Sequence, residues 1–418
     1  MPMQPFVLGR YNVLKRLGAG GMAEVLLAEQ PGPAGFSRLV TIKRILEKHA
    51  RDAEFIRMFV DEARVSMSLQ HPNIVQVLDF QQQGSDHFMV LEFVHGADLD
   101  HLINALAQRS RILPVPVTVF VLWLVLRGLS YAHTAVGPRG EPLMLIHRDI
   151  SPGNVLLSAT GQVKLTDFGV AKARGRATQT RVGILKGKLH YMAPEAIVSG
   201  TVDQRADLFS VGVTLWEALT GRPLYNGETD FVVAQAVVTQ PFVAPSVHHP
   251  AVPPEVDEVC RRALEPDPGK RFQTARQMEQ ALFECMRGHH PDELGEQLSD
   301  LLKAHLDIPS VADLAALPRP AAWERMEPAR ISWPPVERVH GVIPASALGP
   351  DGANATTLPL ASPRPLEDDF FNPPQAPPVD GSTTTRMPPE ELKVLREKST
   401  PPLPDDDFFN VGAPPPRK

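Results

Sequence analysis

The sequence predicts an α+β protein with a strand-rich first part, a helical second part and a long final segment of different composition. Four stretches show strand-like alternation: 11–28, 39–42, 75–79 and 88–93. Helical spacing appears at 52–69 and along the apolar run from 115 to 132. After Ile308 the periodicity ends, and about half of the chain's 43 prolines lie there. Because 418 residues exceed one ordinary compact domain, we expect two ordered lobes followed by a separate tail.

The first predicted strand pair encloses a glycine-rich turn. Its residues are Leu17, Gly18, Ala19, Gly20, Gly21, Met22, Ala23, Glu24 and Val25. Glycine has no Cβ, so the backbone N–H groups of such a turn can lie close over phosphate groups. Glycine pairs also occur in plain hairpin turns, so this stretch alone does not establish a nucleotide site.

The residues best suited to chemistry lie in the middle of the chain. Asp149 and Asn154 stand five positions apart on a loop that an intervening Pro-Gly pair keeps from becoming helix. Two short apolar strands follow, and they place Asp167 at a strand end beside that loop. This set suits phosphoryl transfer, because one carboxylate can accept the proton of an attacking hydroxyl while the amide and the second carboxylate hold a metal that bridges phosphates.

Composition excludes several classes of protein. A hydrophobic content of 43% suffices for a folded core, and a net charge of −6 provides no basic field for nucleic acid or anionic lipid. The only two cysteines, Cys260 and Cys285, exclude a disulfide scaffold and suit a reducing compartment. The N-terminus lacks a signal-peptide pattern, and the most apolar run, 115–126, is too short to cross a bilayer. We expect a cytoplasmic protein with no membrane span and no nucleic-acid partner.

The central motif resembles that of the protein kinases. His147-Arg148-Asp149 with Asn154, followed by Asp167-Phe168-Gly169, matches the patterns H-R-D-x-x-x-x-N and D-F-G. Further motifs follow in family order across 11–285, and the glycine-rich turn is similar to that of bacterial eukaryotic-like (Hanks-type) serine/threonine protein kinases. The resemblance implies the bilobal protein-kinase fold, with a β-rich small lobe at 11–94, a mainly α-helical large lobe at 95–285 and ATP in the cleft between them.

The resemblance also implies roles for individual residues. Asp149 would accept the proton of the substrate hydroxyl, and Asn154 and Asp167 would bind Mg²⁺. Lys43, in the V-A-I-K position, would contact the α- and β-phosphates, with Glu62 as its ion-pair partner. The adenine pocket would use Thr41, Leu91 as gatekeeper, Glu92 and Val94 of the hinge, and Leu156. Asp98 has two readings of equal weight, a contact to the ribose or an N-cap for the next helix.

Further along, the segment 170–192 resembles an activation segment. Thr178 and Thr180 are its candidate phosphorylation sites, and Arg148 supplies a charge that a phosphothreonine could pair with. The alternative is a loop in which the threonines merely face water. By the same resemblance Glu195 pairs with a buried Arg271, and Asp207 supports the large lobe.

Two positions depart from the family pattern. Ser151 stands where serine/threonine kinases usually carry a lysine that contacts the transferring phosphate, and Lys188 stands where they usually carry a threonine. We hypothesise an exchange in which Lys188 supplies the charge and Ser151 the hydroxyl that supports Asp149. The alternative is that Lys188 faces solvent and catalysis is weak or absent, and Lys186 is a nearby competitor for the same role.

Beyond the predicted kinase domain we expect an amphipathic helical extension at 286–307 and a disordered Pro-rich tail at 308–418. The extension would pack on the large lobe or bind a partner. The tail repeats the sequence D-D-F-F-N, at 368–372 and 406–410. Acidic residues beside a pair of phenylalanines suit a docking motif for a partner protein, although chance similarity in a biased segment is the alternative.

The expected function is transfer of the γ-phosphoryl group of Mg-ATP to serine or threonine hydroxyls of proteins, in intracellular signalling. Two other classes stay open. A pseudokinase scaffold would bind nucleotide and partners without turnover, and a tyrosine-directed kinase would label a different hydroxyl. Oligomeric state and substrates do not follow from the sequence.

Overall fold

A computed structural model describes residues 5–137, 140–168 and 189–320. The small lobe is built on a six-stranded antiparallel sheet in the order β1-β2-β3-β4-β6-β5. Its strands are β1 Phe6–Leu8, β2 Tyr11–Ala19, β3 Ala23–Pro31, β4 Ser37–Ile45, β5 Val77–Gln83 and β6 Asp86–Glu92. The predicted strands are confirmed, but β4 continues two residues beyond Lys43, which therefore lies inside the strand and not at its end.

One helix, α1 (Ala53–Ser68), accompanies this sheet, as predicted. It begins where the Asp52 carboxylate accepts hydrogen bonds from the backbone N–H groups of Glu54 and Phe55. Phe59 and Ala63 are buried in the small-lobe core. Because residues four apart share a helix face, the buried face of α1 also turns the neighbouring Glu62 toward the interior of the lobe.

The large lobe is mainly helical. Its helices are α2 Leu99–Ala107, α3 Val115–His133, α4 Pro194–Val198, α5 Gln204–Thr220, α6 Asp230–Thr239, α7 Pro254–Ala263, α8 Ala275–Cys285 and α9 Pro291–His305. A further short helix, α10 Val311–Ala315, follows them and contacts the small lobe. A three-stranded sheet of β7 (Gly96–Asp98), β8 (Val155–Ser158) and β9 (Val163–Leu165) lies at its cleft side. Gly161, with a positive φ of 81°, makes the predicted turn between β8 and β9.

Helix α3 is the core of the large lobe. Within the described ranges it is the one helix with the length and composition to cross a membrane, with a mean hydropathy of 1.7, and 67% of that stretch is buried in the fold. Its apolar side chains contact the main hydrophobic cluster, together with those of α2, α5, α7, α8 and α9. We conclude that its apolar sequence serves the core, as its interpretation as a buried helix predicted.

The extension predicted at 286–307 is helical. Leu294, Leu298 and Leu302 of α9 belong to the main core of the large lobe, so the extension packs on that lobe, which is one of its two predicted alternatives. The chain then continues to α10, whose Leu314 is buried against the small lobe. The tail predicted from 308 therefore needs correction at its start, because Val311–Ala315 is helical and Leu314 and Pro320 are buried. The D-D-F-F-N repeats lie outside the described residues.

Candidate active site

The glycine-rich turn connects β2 to β3 at the edge of the cleft. Gly18 pairs with Val25 and Ala19 with Glu24, and the Gly20 N–H donates to the Ala23 carbonyl at 2.8 Å. The two strands and the glycine-rich turn therefore form a hairpin, as the sequence predicted. One side chain of the predicted set points elsewhere: Glu24 is buried and accepts hydrogen bonds from the Arg44 guanidinium at 2.6 and 2.9 Å. Its carboxylate is a structural ion-pair partner, and the expected contact of the turn's backbone N–H groups with phosphate stays a prediction.

Lys43 lies between two carboxylates. Its Nζ is 2.6 Å from Glu62 Oε1 and 2.8 Å from Asp167 Oδ1. Burial opposes the positive charge, but Asp167 and Glu62 outweigh it and raise the pKa of Lys43 above its ordinary value. Lys43 is therefore charged at neutral pH. Of the other acidic residues on α1, Glu54 is exposed and Asp61 pairs with Arg64, so the predicted choice of Glu62 agrees with the geometry.

The loop that carries Asp149 and Asn154 is closed on itself. The Asn154 Nδ2 donates to the Asp149 carbonyl at 2.6 Å, and the Asn154 N–H donates to the Ser151 carbonyl at 3.0 Å. The Thr166 N–H in turn donates to the Asn154 carbonyl at 3.0 Å, which holds the segment bearing Asp167 against the loop. These bonds bring together the three residues that the sequence assigned to phosphoryl transfer.

A buried carboxylate holds the start of this loop. Asp207, on the first turn of α5, accepts the backbone N–H groups of His147 and Arg148, each at 2.8 Å. It also contacts His133 Nε2 at 2.8 Å. Arg148 and Asp167 both have positive φ values, 62° and 59°, which non-glycine residues rarely adopt. The backbone strain at Arg148 is therefore stabilised by fixed contacts, in keeping with a functional loop.

His147 is fully buried, and its ring links the loop to the segment that carries Asp167. Its Nε2 contacts the Thr166 carbonyl at 3.0 Å, while its Nδ1 accepts the Asp149 N–H at 3.3 Å. The ring also lies 4.6 Å from that of Phe168, measured between centroids. Burial lowers the pKa of His147, so the imidazole is neutral, with its proton on Nε2 facing a carbonyl.

The walls of the expected adenine pocket come from both lobes. Thr41 pairs with Leu91 across β4 and β6, and Val94 and Leu156 pack against one hydrophobic cluster. Leu17 lies at the open edge, with 44% of its surface exposed. An ion pair beside this pocket was not predicted from the sequence. Lys164 Nζ lies 2.8 Å from Glu92 Oε1.

Glu92 and Asp98 have structural roles in addition to any contact with nucleotide. The Glu92 carboxylate also accepts the Gln76 N–H at 2.8 Å, which fixes the start of the hinge. Asp98 is the N-cap of α2, where its carboxylate accepts the His101 N–H at 2.9 Å and contacts His101 Nδ1 at 2.8 Å. The predicted N-cap is confirmed, and the ribose contact stays a prediction.

A buried ion pair stabilises the large lobe. Arg271, with no exposed side-chain surface, makes two hydrogen bonds to the Glu195 carboxylate, at 2.7 and 2.8 Å. The predicted partnership of these two residues is confirmed.

Four of the predicted residues lie outside the described part of the chain: Lys186, Lys188, Thr178 and Thr180. The exchange hypothesis and the phosphorylation sites therefore stay predictions.

Comparison with known proteins gives the class. A family model described as the protein kinase domain matches residues 11–283. The chain therefore belongs to the protein kinase family, and its relatives include bacterial serine/threonine kinases. The serine/threonine-protein kinase PknA of Mycobacterium tuberculosis is 30% identical over 391 residues, covering 91% of this chain and 86% of PknA.

Two further relatives are longer proteins. The tyrosine-protein kinase MasK of Myxococcus xanthus is 37% identical over 323 residues, and the serine/threonine-protein kinase PrkC of Bacillus subtilis is 33% identical over 273 residues. The chain spans 50% of the length of MasK and 40% of PrkC. Among solved structures, a mutant kinase domain of M. tuberculosis PknI is 28% identical with a TM-score of 0.51, covering 68% of this chain and 99% of that domain.

Proposed function

We propose that this protein transfers the γ-phosphoryl group of Mg-ATP to hydroxyl groups of proteins. The observation that carries the proposal is the position of Lys43 Nζ, within 2.8 Å of both Glu62 and Asp167, beside the closed loop of Asp149 and Asn154. A buried cation, two carboxylates and an amide suit phosphate and its metal, because positioning and charge stabilisation supply most of the catalysis of phosphoryl transfer.

The donor set also fits Mg²⁺. The Asn154 Nδ2 donates a hydrogen bond to the Asp149 carbonyl, and Oδ1 is the amide atom that can bind a cation. Asp167 supplies carboxylate oxygen, and Mg²⁺ prefers oxygen ligands from one or two such side chains completed by phosphate and water. Bound Mg²⁺ would neutralise phosphate charge. The protein's own residues would do the rest: Lys43 orients the phosphates, and Asp149 accepts the hydroxyl proton.

The proposed acceptor is serine or threonine. PknA and PrkC are named as serine/threonine kinases, which supports this choice. MasK is named as a tyrosine kinase, and Ser151 departs from the serine/threonine pattern, so tyrosine is the second candidate. Phosphoamino-acid analysis of the labelled product separates them: phosphoserine and phosphothreonine are expected, and phosphotyrosine alone would assign the enzyme to the other class.

The test of the activity is incubation of the full chain with Mg²⁺ and labelled ATP. Asp149→Asn is the inactive control, because an amide cannot accept the hydroxyl proton. Asp203→Asn, at the exposed N-cap of α5, is the matched control that should keep activity. Label on the wild type and on Asp203→Asn alone is expected. ATP binding without label on any of the three would contradict the proposal and favour a nucleotide-binding scaffold.

We further propose that Lys188 replaces the missing catalytic-loop lysine and that Ser151 supports Asp149. A lysine is long and flexible enough to reach a phosphate from a neighbouring segment. Lys188→Met should then lower kcat strongly while nucleotide affinity changes little. Lys186→Met is the matched control. Equal activity of both variants and the wild type would exclude the exchange, and loss in Lys186→Met alone would transfer the role to Lys186.

Regulation, location and partners complete the proposal. We propose autophosphorylation at Thr178 or Thr180, paired with Arg148, and mapping of the labelled sites tests it.

We also propose a cytoplasmic location. The two thiols, Cys260 buried and Cys285 half-buried, are unpaired and suit the reducing cytoplasm, where ATP is available. The D-D-F-F-N repeats are proposed as docking motifs for a partner in an intracellular signalling pathway, and substitution of both Phe pairs should abolish that binding.

A further inference from the structure

The chain beyond α9 returns to the small lobe. We call residues 306–320 the strap. It leaves the end of α9, passes the hinge where His95 Nε2 contacts the Pro309 carbonyl at 2.7 Å, and continues into α10. Its contacts therefore include the segment that joins the two lobes as well as the small-lobe sheet.

One end of the strap is fixed to the large lobe. Helix α9 buries Leu294, Leu298 and Leu302 in the core around α3. Ser299 Oγ donates to the Ala159 carbonyl at 2.7 Å, next to the turn between β8 and β9. The same turn approaches α9 so closely that a Cβ at Gly161 would lie 2.0 Å from the Gly295 carbonyl oxygen. The start of the strap therefore cannot shift without disturbing the large lobe.

The other end is fixed to the small lobe. Helix α10 begins with a capping box, in which the Asp313 N–H donates to Ser310 Oγ at 3.1 Å and the Ser310 N–H donates to the Asp313 carboxylate at 3.0 Å. Leu314, only 4% exposed, packs with Leu14 of β2 and Leu27 of β3. Partly buried apolar side chains surround this cluster: Leu39, Phe93 and Leu317.

An ion pair adds a specific bond to this apolar contact. The Arg319 guanidinium makes two hydrogen bonds to the Glu29 carboxylate, with Nε to Oε2 at 2.7 Å and Nη2 to Oε1 at 2.8 Å. The Glu29 side chain is only 4% exposed. Arg319 holds the pKa of Glu29 below its ordinary value, and Ser37 Oγ donates a third hydrogen bond at 2.7 Å. A carboxylate this buried needs such a partner, because an unpaired charge there would be costly.

The strap lies on the sheet face that carries the phosphate-binding lysine. Side chains two residues apart on a strand share a face, and directly paired residues of antiparallel strands do as well. In β3 the residues Val25, Leu27 and Glu29 therefore share one face, and their partners in β4 are Lys43, Thr41 and Leu39. Leu314 and Arg319 cover this face at Leu27 and Glu29. Thr41, in the expected adenine pocket, is the direct partner of Leu27.

We propose that the strap is a clamp between the lobes, and that Leu314 and Arg319 are positioning residues that set nucleotide affinity through the β3–β4 face. Opening of the cleft at the hinge would move the two anchored ends apart, and only the short segment 306–310 joins α9 to α10. Detachment of the strap should therefore favour the open arrangement and weaken nucleotide binding. This consequence rests on the proposed nucleotide site, whereas docking of the strap does not.

The test uses charge reversal in the full chain. Arg319→Glu places two carboxylates together and should release the strap. Arg319→Lys keeps the positive charge but loses the paired N–H groups, so it should release the strap less. Arg287→Glu, an exposed charge reversal on the large lobe, is the matched control. A second variant, Leu314→Asn, removes the apolar anchor without a charge change. Hydrogen exchange of the Leu314 amide, which donates to the Ser310 carbonyl, reports docking, and a fluorescent ATP analogue with Mg²⁺ reports affinity.

We expect faster exchange in α10 and nucleotide affinity weakened about fivefold or more in Arg319→Glu and Leu314→Asn. Arg287→Glu should stay close to wild type, and Arg319→Lys should lie between the two. Unchanged exchange in both disruptive variants would overturn docking. Faster exchange with unchanged affinity would overturn the clamp. A wild-type chain that binds no nucleotide while α10 stays protected would instead overturn the proposed kinase function and leave docking of the strap supported.

Discussion

The backbone N–H of Arg148 donates to the Asp207 carboxylate at 2.8 Å, across 59 positions of sequence. Arg148 has a φ of 62°, and the residue that follows it is the proposed catalytic base, Asp149. A carboxylate from the core of the large lobe thus holds a strained peptide at the site of chemistry. The strain persists because the surrounding contacts determine the backbone there.

We predict that Asp207→Asn destabilises the protein and lowers kcat. An asparagine oxygen can accept one of the two N–H groups, but its NH₂ cannot accept the other, which costs about 1–3 kcal/mol in the free energy of unfolding. A shift of the loop by about 1 Å would lower kcat about 100-fold. Urea unfolding and steady-state kinetics measure both effects. Asp203→Asn, at the N-cap of the same helix, should change kcat little, and an equal loss there would contradict this account.

The ion pair of Lys43 and Glu62 should matter more for catalysis than the other acidic residues of α1. Lys43→Met removes the charge that orients the phosphates, and we expect kcat to fall about 10²–10³-fold. Glu62→Gln should have a smaller effect, because the amide oxygen can still accept the hydrogen bond from Lys43. Glu54→Gln, at the exposed start of α1, should leave kcat and KM for ATP unchanged. A larger loss from Glu54→Gln than from Glu62→Gln would refute the assignment of the ion pair.

The buried His147 should make stability depend on pH. Burial lowers its pKa in the folded protein below the ordinary value of 6.5. The unfolded chain therefore takes up the proton first as pH falls below that value, so this group's contribution to stability is present above pH 6.5 and is lost on acidification. Unfolding free energies between neutral and acidic pH should fall more steeply for the wild type than for His147→Gln, which does not titrate. Parallel pH profiles would show that another group is responsible.

The pair of Arg271 and Glu195 should be worth far more to stability than surface pairs. Arg271→Leu leaves the half-buried Glu195 without its partner, and we expect a loss of about 3–5 kcal/mol in the free energy of unfolding. Arg261, whose side chain is 47% exposed and pairs with Glu258, is the matched control. Arg261→Leu should cost less than about 1 kcal/mol. Urea denaturation of both variants measures the difference, and similar losses would mean that burial of the first pair has no special weight.

Much of the site could be predicted because its chemistry is encoded locally. Asp149 and Asn154 lie on one loop, and the strand pair after it carries Asp167 back to that loop. The period of apolar residues also located α1, and the resemblance to protein kinases then selected Glu62 among its acidic residues. Local spacing suffices in such cases, because the positions of the side chains follow from the geometry of a single strand, turn or helix.

Other contacts were missed because they depend on distant partners. Glu24 belongs to the glycine-rich turn by sequence, yet its carboxylate is neutralised by Arg44, a pairing set by the register of β3 and β4. Helix α10 has five residues, too few to display a sustained period, although Ser310 and Asp313 form the spacing of a capping box that could have revealed its start.

The sequence by itself determined the class of this protein and the residues for its proposed chemistry, since motif order and spacing are properties of the chain. Only the tertiary structure decided where the segment beyond α9 packs. Leu314 and Arg319 gain a place in the fold from Leu27 and Glu29, almost 300 positions earlier in the chain. Burial of Leu314 and pairing of Arg319 require a surface that exists only after the small-lobe sheet has formed. No local sequence pattern can therefore predict them.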